Sequence, residues 1–163
     1  MRVRNTARVL LLNLEGRILL MRGWFNGAPD AACFWFTVGG GMEPGETVLE
    51  AAAREIREET GLDSVALGPV VWLREGVVPD METGEPLLFK ETYVVARSEG
   101  GTPSRAGWND LERRLVDDIR WWRLEEIAGS DERIYPDGLA ELLPEILAGQ
   151  YPVVPRVIGA AGP

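Results

Sequence analysis

Between Gly39 and Leu62 three consecutive glycines lead through a proline-containing turn into a segment that reads as a helix with two chemically different sides. Thr47 and Glu50 have capping-box spacing, the residues through Thr60 are good helix formers, and Gly61 stands as a C-terminal stop. At 100° per residue, Glu55, Glu58 and Glu59 share an arc of about 100°, while Leu49, Ala52, Ala53 and Ile56 fill a neighbouring apolar arc. One side of this helix packs and the other gathers negative charge.

Glu55 and Glu59 lie one turn apart, a like-charge pair that costs a helix roughly a few tenths of a kcal/mol. A divalent cation reverses that cost. Carboxylate oxygen suits Mg²⁺ or Mn²⁺, and Mg²⁺ in particular is commonly held by few protein carboxylates together with waters and substrate phosphates. Arg54 is four residues from both Glu50 and Glu58, close enough to orient a carboxylate. The plainer reading of a glutamate-rich helix is a solvated surface, so the residues around it must decide.

The rest of the composition narrows the chemistry. There is no histidine, which removes the commonest general base and zinc ligand and leaves catalysis to carboxylates. A formal charge of −9 disfavours DNA, long RNA and anionic membranes, and implies that an anionic substrate needs a mediating cation. Cys33 is the single cysteine, so no intrachain disulfide forms and a cytoplasmic setting is expected. Arg2 and Arg4 precede the apolar run Val9 to Leu12, but Asn13 and Glu15 interrupt it, and neither a leader nor a membrane span is read.

At 163 residues the chain is expected to form a single domain over 1–150, with 151–163 an extended or partly disordered tail. Ala7 to Asn13 and Arg17 to Met21 read as a hairpin of interior strands, followed by Phe34 to Val38. Ala66 to Val78 and Leu87 to Arg97 are further strands, as is the short Asp118 to Arg123. A helical turn at Glu125 to Ala128 and a helix at Leu139 to Leu147 complete a mixed α/β or α+β sandwich.

The run Gly40-Gly-Met-Glu-Pro-Gly-Glu46-Thr-Val-Leu-Glu-Ala-Ala-Ala-Arg54-Glu55-Ile56-Arg-Glu58-Glu59-Thr-Gly61-Leu62 resembles the Nudix box at every defining position. Val38 departs from the family wording, which often has proline there. The resemblance implies an α/β/α sandwich around a mixed sheet and an enzyme that hydrolyses the diphosphate linkage of a nucleoside diphosphate derivative. It further implies that Glu55, Glu58 and Glu59 supply metal ligands or the base, with the Gly40 carbonyl a further ligand. Glu46 supports the array, and Arg54 belongs to the same catalytic group. Glu58 or Glu55 is the candidate base.

Outside the box, alternation along Leu87 to Arg97 puts Glu91 beside Phe89, Tyr93 and Val95, an expensive place for an unpaired charge and hence a candidate metal ligand. The alternative is a carboxylate paired with an arginine at an edge strand, and Asp110, Glu112 and Asp117 compete for the ligand role. Arg8, Arg22 and Lys90 are candidates for substrate phosphates, and Trp24 and Trp108 for stacking on a base, with Phe25, Trp35 and Trp72 as further aromatics. Such residues more often serve the surface or the core.

The substrate is expected to be a small nucleotide-like diphosphate: a nucleoside triphosphate, ADP-ribose or a nucleotide sugar. Two other readings stand beside this one, a catalytically silent nucleotide sensor and an RNA 5′-end pyrophosphohydrolase; the acidic composition weighs against the latter. Cysteine-dependent isomerisation is set aside, because no surrounding motif supports Cys33. A homodimer is left open.

Overall fold

The computed structural model describes residues 1–24 and 32–159. Among these residues seven strands form one mixed sheet: β1 (Arg2–Leu12), β2 (Ile18–Trp24), β3 (Cys33–Gly41), β4 (Val65–Pro79), β5 (Pro86–Ser98), β6 (Val116–Trp122) and β7 (Arg156–Val157). Their order is β6-β2-β3-β1-β5-β4-β7, with β1 parallel to β5 and β7 parallel to β4. Among the described residues four helices accompany them: α1 (Val48–Thr60), α2 (Asp110–Leu115), α3 (Leu124–Gly129) and α4 (Leu139–Leu147). No helix among the described residues is long and apolar enough to cross a membrane.

Alternation along the central strands builds two cores. Val9, Leu11, Leu19, Met21, Val94 and Ala96 meet Ala52 and Ile56 of α1 on one face. Leu10, Leu12, Leu20, Tyr93 and Val95 meet Ile127 of α3 and Leu139, Leu143 and Ile146 of α4 on the other. Each central strand is buried on both faces, which explains its low polarity. The sandwich expected from the sequence is thus observed.

The expected β1–β2 hairpin is corrected. Its turn forms, with Asn13 N–H donating to the Arg17 carbonyl, but the strands pair only at Leu12 and Ile18. β3 then inserts between them, pairing with β1 at Thr6 to Val9 and with β2 at Leu20 to Trp24. Apolar patterning marks both strands as interior without saying which neighbours fill the ladder. This insertion carries the glycine triplet into the middle of the sheet.

α1 obeys its local signals. Thr47 and Glu50 form the reciprocal capping box, and Gly61 closes the helix at φ 68°, where a left-handed backbone favours glycine. Residues 151–159 lie against the domain: Arg97 bonds the Tyr151 hydroxyl, β7 pairs with β4, and Ile158 is buried.

Candidate active site

The site lies where the end of β3 meets the carboxylate side of α1. Gly39 has φ 148°, and a side chain there would collide with the Ala7 carbonyl of β1. Its N–H donates to Glu59 Oε1 at 2.8 Å, joining helix to strand. A Cβ on Gly40 would occupy the space taken by the Glu55 carboxylate. Two glycines are therefore required for two different reasons: backbone conformation and close approach.

Arg54 organises the remaining charge. Its guanidinium donates to Glu46 at 2.7 and 2.9 Å, to Glu55 at 2.8 Å, to Glu58 at 3.3 Å and to the Gly41 carbonyl at 3.0 Å. The bidentate bond with Arg54 holds the Glu46 carboxyl down at about 2, helped by the Glu43 N–H. Glu58 is the open member of the set, its side chain 47% exposed against 11% for Glu46 and Glu55.

Glu59 is different. Burial pushes its carboxyl well above the ordinary range, and the nearby Glu55 carboxylate pushes it further; only the Gly39 N–H and the positive field of Arg8 oppose this. Protonating Glu59 relieves the repulsion between the Glu55 and Glu59 carboxyls. A divalent cation does the same work with more charge, and the all-oxygen donor set suits a hard one. Among the described residues no three acidic side chains form a ready-made cage, and the carboxyls of Glu46, Glu55 and Glu58 are bonded to Arg54 instead.

Glu91 is on β5, an interior strand rather than an edge, and is compensated by arginine. Arg74 reaches it at 3.0 Å, Arg8 at 3.5 Å, and the Tyr93 hydroxyl donates to it at 3.1 Å. Arg8 also bonds the Thr37 and Gly39 carbonyls, tying Glu91 to the glycine segment. Lys90 alternates with Glu91 and so faces the side that carries α1. It is exposed.

The other candidates lie apart from the carboxylates. Arg22 pairs with Trp35 at the far end of β3 from Gly41 and makes a bidentate bond to Asp117 at 2.9 and 2.7 Å. Trp24, the last residue of β2, lies at that same end opposite Cys33. Trp108 is buried; its indole N–H donates to the Glu59 carbonyl at 2.6 Å, so the ring anchors the end of α1 and offers no free stacking face. Trp35 and Trp72 are core residues, and Phe25 falls outside the described residues.

Glu112 is the competing loop carboxylate that reaches the cluster. Partial burial raises its pKa, and the charges of Glu55 and Glu58 raise it further, which places it in their field. It sits on α2, a helix the sequence reading missed, although Asn109 and Glu112 repeat the capping-box spacing of Thr47 and Glu50.

Comparison with known proteins identifies the family and the fold. A NUDIX domain family model matches residues 2–145. An RNA pyrophosphohydrolase of Halorhodospira halophila is 30% identical over 146 residues, covering 82% of this chain and 76% of that one. An oxidized purine nucleoside triphosphate hydrolase of Danio rerio is 28% identical, over 73% and 80% of the two chains. Among solved structures, an ADP-ribose pyrophosphatase of Streptococcus suis superposes with a TM-score of 0.59 at 20% identity, covering 95% of this chain and 98% of that one. A MutT protein of Bacillus halodurans gives 0.60 at 18% identity, over 94% and 85%. With a family model that spans residues 2–145, the chain belongs to the Nudix family.

Proposed function

We propose that this protein hydrolyses the diphosphate linkage of a nucleoside diphosphate derivative, drawn from nucleoside triphosphates, ADP-ribose and nucleotide sugars, with water as the attacking group. The observation that carries the reading is the buried Glu55–Glu59 carboxyl pair, packed against Gly39 and Gly40, whose mutual repulsion a cation would relieve. Glu55, Glu58, Glu59 and the Gly40 carbonyl would hold Mg²⁺ or Mn²⁺. A cation held there would supply charge to neutralise phosphate oxygens and to acidify the attacking water.

The protein's own groups then have separable tasks. Arg54 and Glu46 orient Glu55 and Glu58 through a charge-assisted clamp. Glu58, the most exposed of the set and bonded to Arg54 only at 3.3 Å, is free to turn toward a water, so it is assigned as the general base. Glu112 is a second carboxylate within the same field. Glu91 acts through Arg8 on the glycine segment, and it becomes a metal ligand only if its arginines release it.

The likeness to an RNA pyrophosphohydrolase supports a second reading, an RNA 5′ end as substrate, whereas the charge of −9 opposes a long polyanion. A metal-supplemented panel of nucleoside triphosphates, ADP-ribose, nucleotide sugars and 5′-triphosphorylated RNA separates these. Turnover of the small substrates is expected. Nucleotide binding without turnover at adequate Mg²⁺ would instead favour a silent sensor.

Stability should report the cation independently of turnover. Glu59 is raised above the 4.5 of an unfolded glutamate, so the native protein holds more protons than the unfolded one, and metal-free stability falls as pH rises from about 4.5 toward the raised value. A bound cation replaces the proton and removes this loss. The stabilisation produced by Mg²⁺ is therefore expected to be larger at pH 8 than at pH 5. A Tm increment independent of pH would count against Glu59 as a ligand.

A further inference from the structure

The face of the sheet away from α1 carries a charged group that packing alone does not call for. Arg8 on β1 and Arg74 on β4 converge on Glu91 of β5, the strand between them, at 3.5 and 3.0 Å, and none of the three side chains is more than 22% exposed. Apolar residues of similar volume would hold this face together at least as well. The contacts of the group lead in two directions.

One direction is the carboxylate pair. Arg8 donates to the Thr37 and Gly39 carbonyls at 3.4 Å each, the peptide oxygens on either side of the Gly39 N–H that reaches Glu59 at 2.8 Å. The backbone of β3 thereby carries the link through the plane of the sheet, from Arg8 on one face to Glu59 on α1. The other direction is the C-terminal segment. Arg74 lies over the Phe89 ring at 4.7 Å, and Gly159 closes on it: φ there is 74°, and a Cβ would stand 3.2 Å from Arg74 Nε and 3.4 Å from its Cδ. Pairing of β7 with β4, the bond from the Ile158 N–H to the Leu73 carbonyl at 2.9 Å and the buried Ile158 side chain hold Gly159 in that place.

We propose that the C-terminal segment is part of the support of the cation site: Gly159 seats Arg74, Arg74 and Arg8 share Glu91, and Arg8 fixes the Gly39 peptide that receives Glu59. This rests on the reading of Glu55 and Glu59 as cation ligands. Arg74, Glu91 and Gly159 are then positioning residues, which touch neither cation nor substrate. Groups that orient metal ligands from behind change metal affinity about 10- to 100-fold when removed. Direct ligation by Glu91 predicts the opposite sign for one variant: a positioning Glu91 needs Arg74, whereas a ligating Glu91 is blocked by it.

The test is Mn²⁺ binding to the full chain, followed by electron paramagnetic resonance of the free ion, without nucleotide and with a non-hydrolysable nucleoside triphosphate. Arg74→Gln and Glu91→Gln are expected to weaken binding about tenfold. Arg74→Lys, which keeps the charge and loses the fork, should recover part of that. Gly159→Ala should weaken binding about threefold and add nothing further to Arg74→Gln, because both act through one guanidinium. Gly149→Ala is the control: its φ is also 74°, but a Cβ there meets nothing within 4 Å, so it imposes the same backbone strain and should bind as the wild type does.

Tighter binding in Arg74→Gln would make Glu91 a ligand and overturn the proposal. So would wild-type affinity in Gly159→Ala, an equal loss in Gly149→Ala, or additive losses in the double variant. Should Arg74→Gln fail to fold, Gly159→Ala against Gly149→Ala decides alone. A wild type that binds no Mn²⁺ in either state removes the cation site and this proposal with it. Mn²⁺ binding without turnover of any nucleotide removes the hydrolase reading alone, and the affinities of the variants still decide the proposal.

Discussion

Replacing Glu59 with glutamine is expected to lower kcat about 10³-fold and, in the same variant, to raise the melting temperature of the metal-free protein at pH 8. Glutamine keeps an oxygen for the Gly39 N–H and offers an N–H to Glu55, so it copies the protonated glutamic acid without its titration. The metal-free penalty at alkaline pH disappears, and with it a ligand charge that the cation needs. Thermal denaturation with and without Mg²⁺, measured beside turnover, checks both halves. A variant that loses activity and also melts lower at pH 8 would show that Glu59 serves the fold rather than the cation.

Arg54→Ala is expected to act in the opposite sense on stability. It leaves Glu46, Glu55, Glu58 and the Gly41 carbonyl without their shared donor, a loss of about 2–3 kcal/mol after allowing for the partial exposure of these groups. Activity should fall about 10²-fold, as the carboxylates lose their orientation. Mg²⁺ should restore part of the lost melting temperature in this variant, because a cation can neutralise Glu55 and Glu58 in place of the guanidinium. Arg54→Lys keeps the charge but not the fork, and should recover less than half of the activity. Undiminished stability in Arg54→Ala would remove the clamp from the account.

How far a feature was legible in the sequence follows from how local its causes are. The ends of α1 depend on Thr47, Glu50 and Gly61, all within its own turns, and the reading placed them correctly. α2 was equally local, and the Asn109–Glu112 spacing could have revealed it. The first five residues of β1 were not legible, because Arg2, Arg4, Asn5 and Thr6 look like an exposed lead-in. Their strand geometry comes from hydrogen bonds to β5. The arginines around Glu91 were hidden for the same reason, since Arg8 and Arg74 arrive from β1 and β4.

The parallel pairing of β1 with β5 also bears on how the site comes into being. Arg2 pairs with Leu87 and Leu12 with Arg97, in each case a separation of 85 residues (87 − 2 and 97 − 12). Contacts of such range close late and slowly, after local helices and turns. The glycines and glutamates of residues 39–62 are synthesised early, but the strand that seats Gly39 has its second neighbour only when β5 is available. A nascent chain ending before Pro86 therefore carries every box residue and lacks the sheet that fixes them. During synthesis, competence to hydrolyse should appear abruptly, and only after β5 (Pro86–Ser98) has been made, rather than grow with the length of chain made.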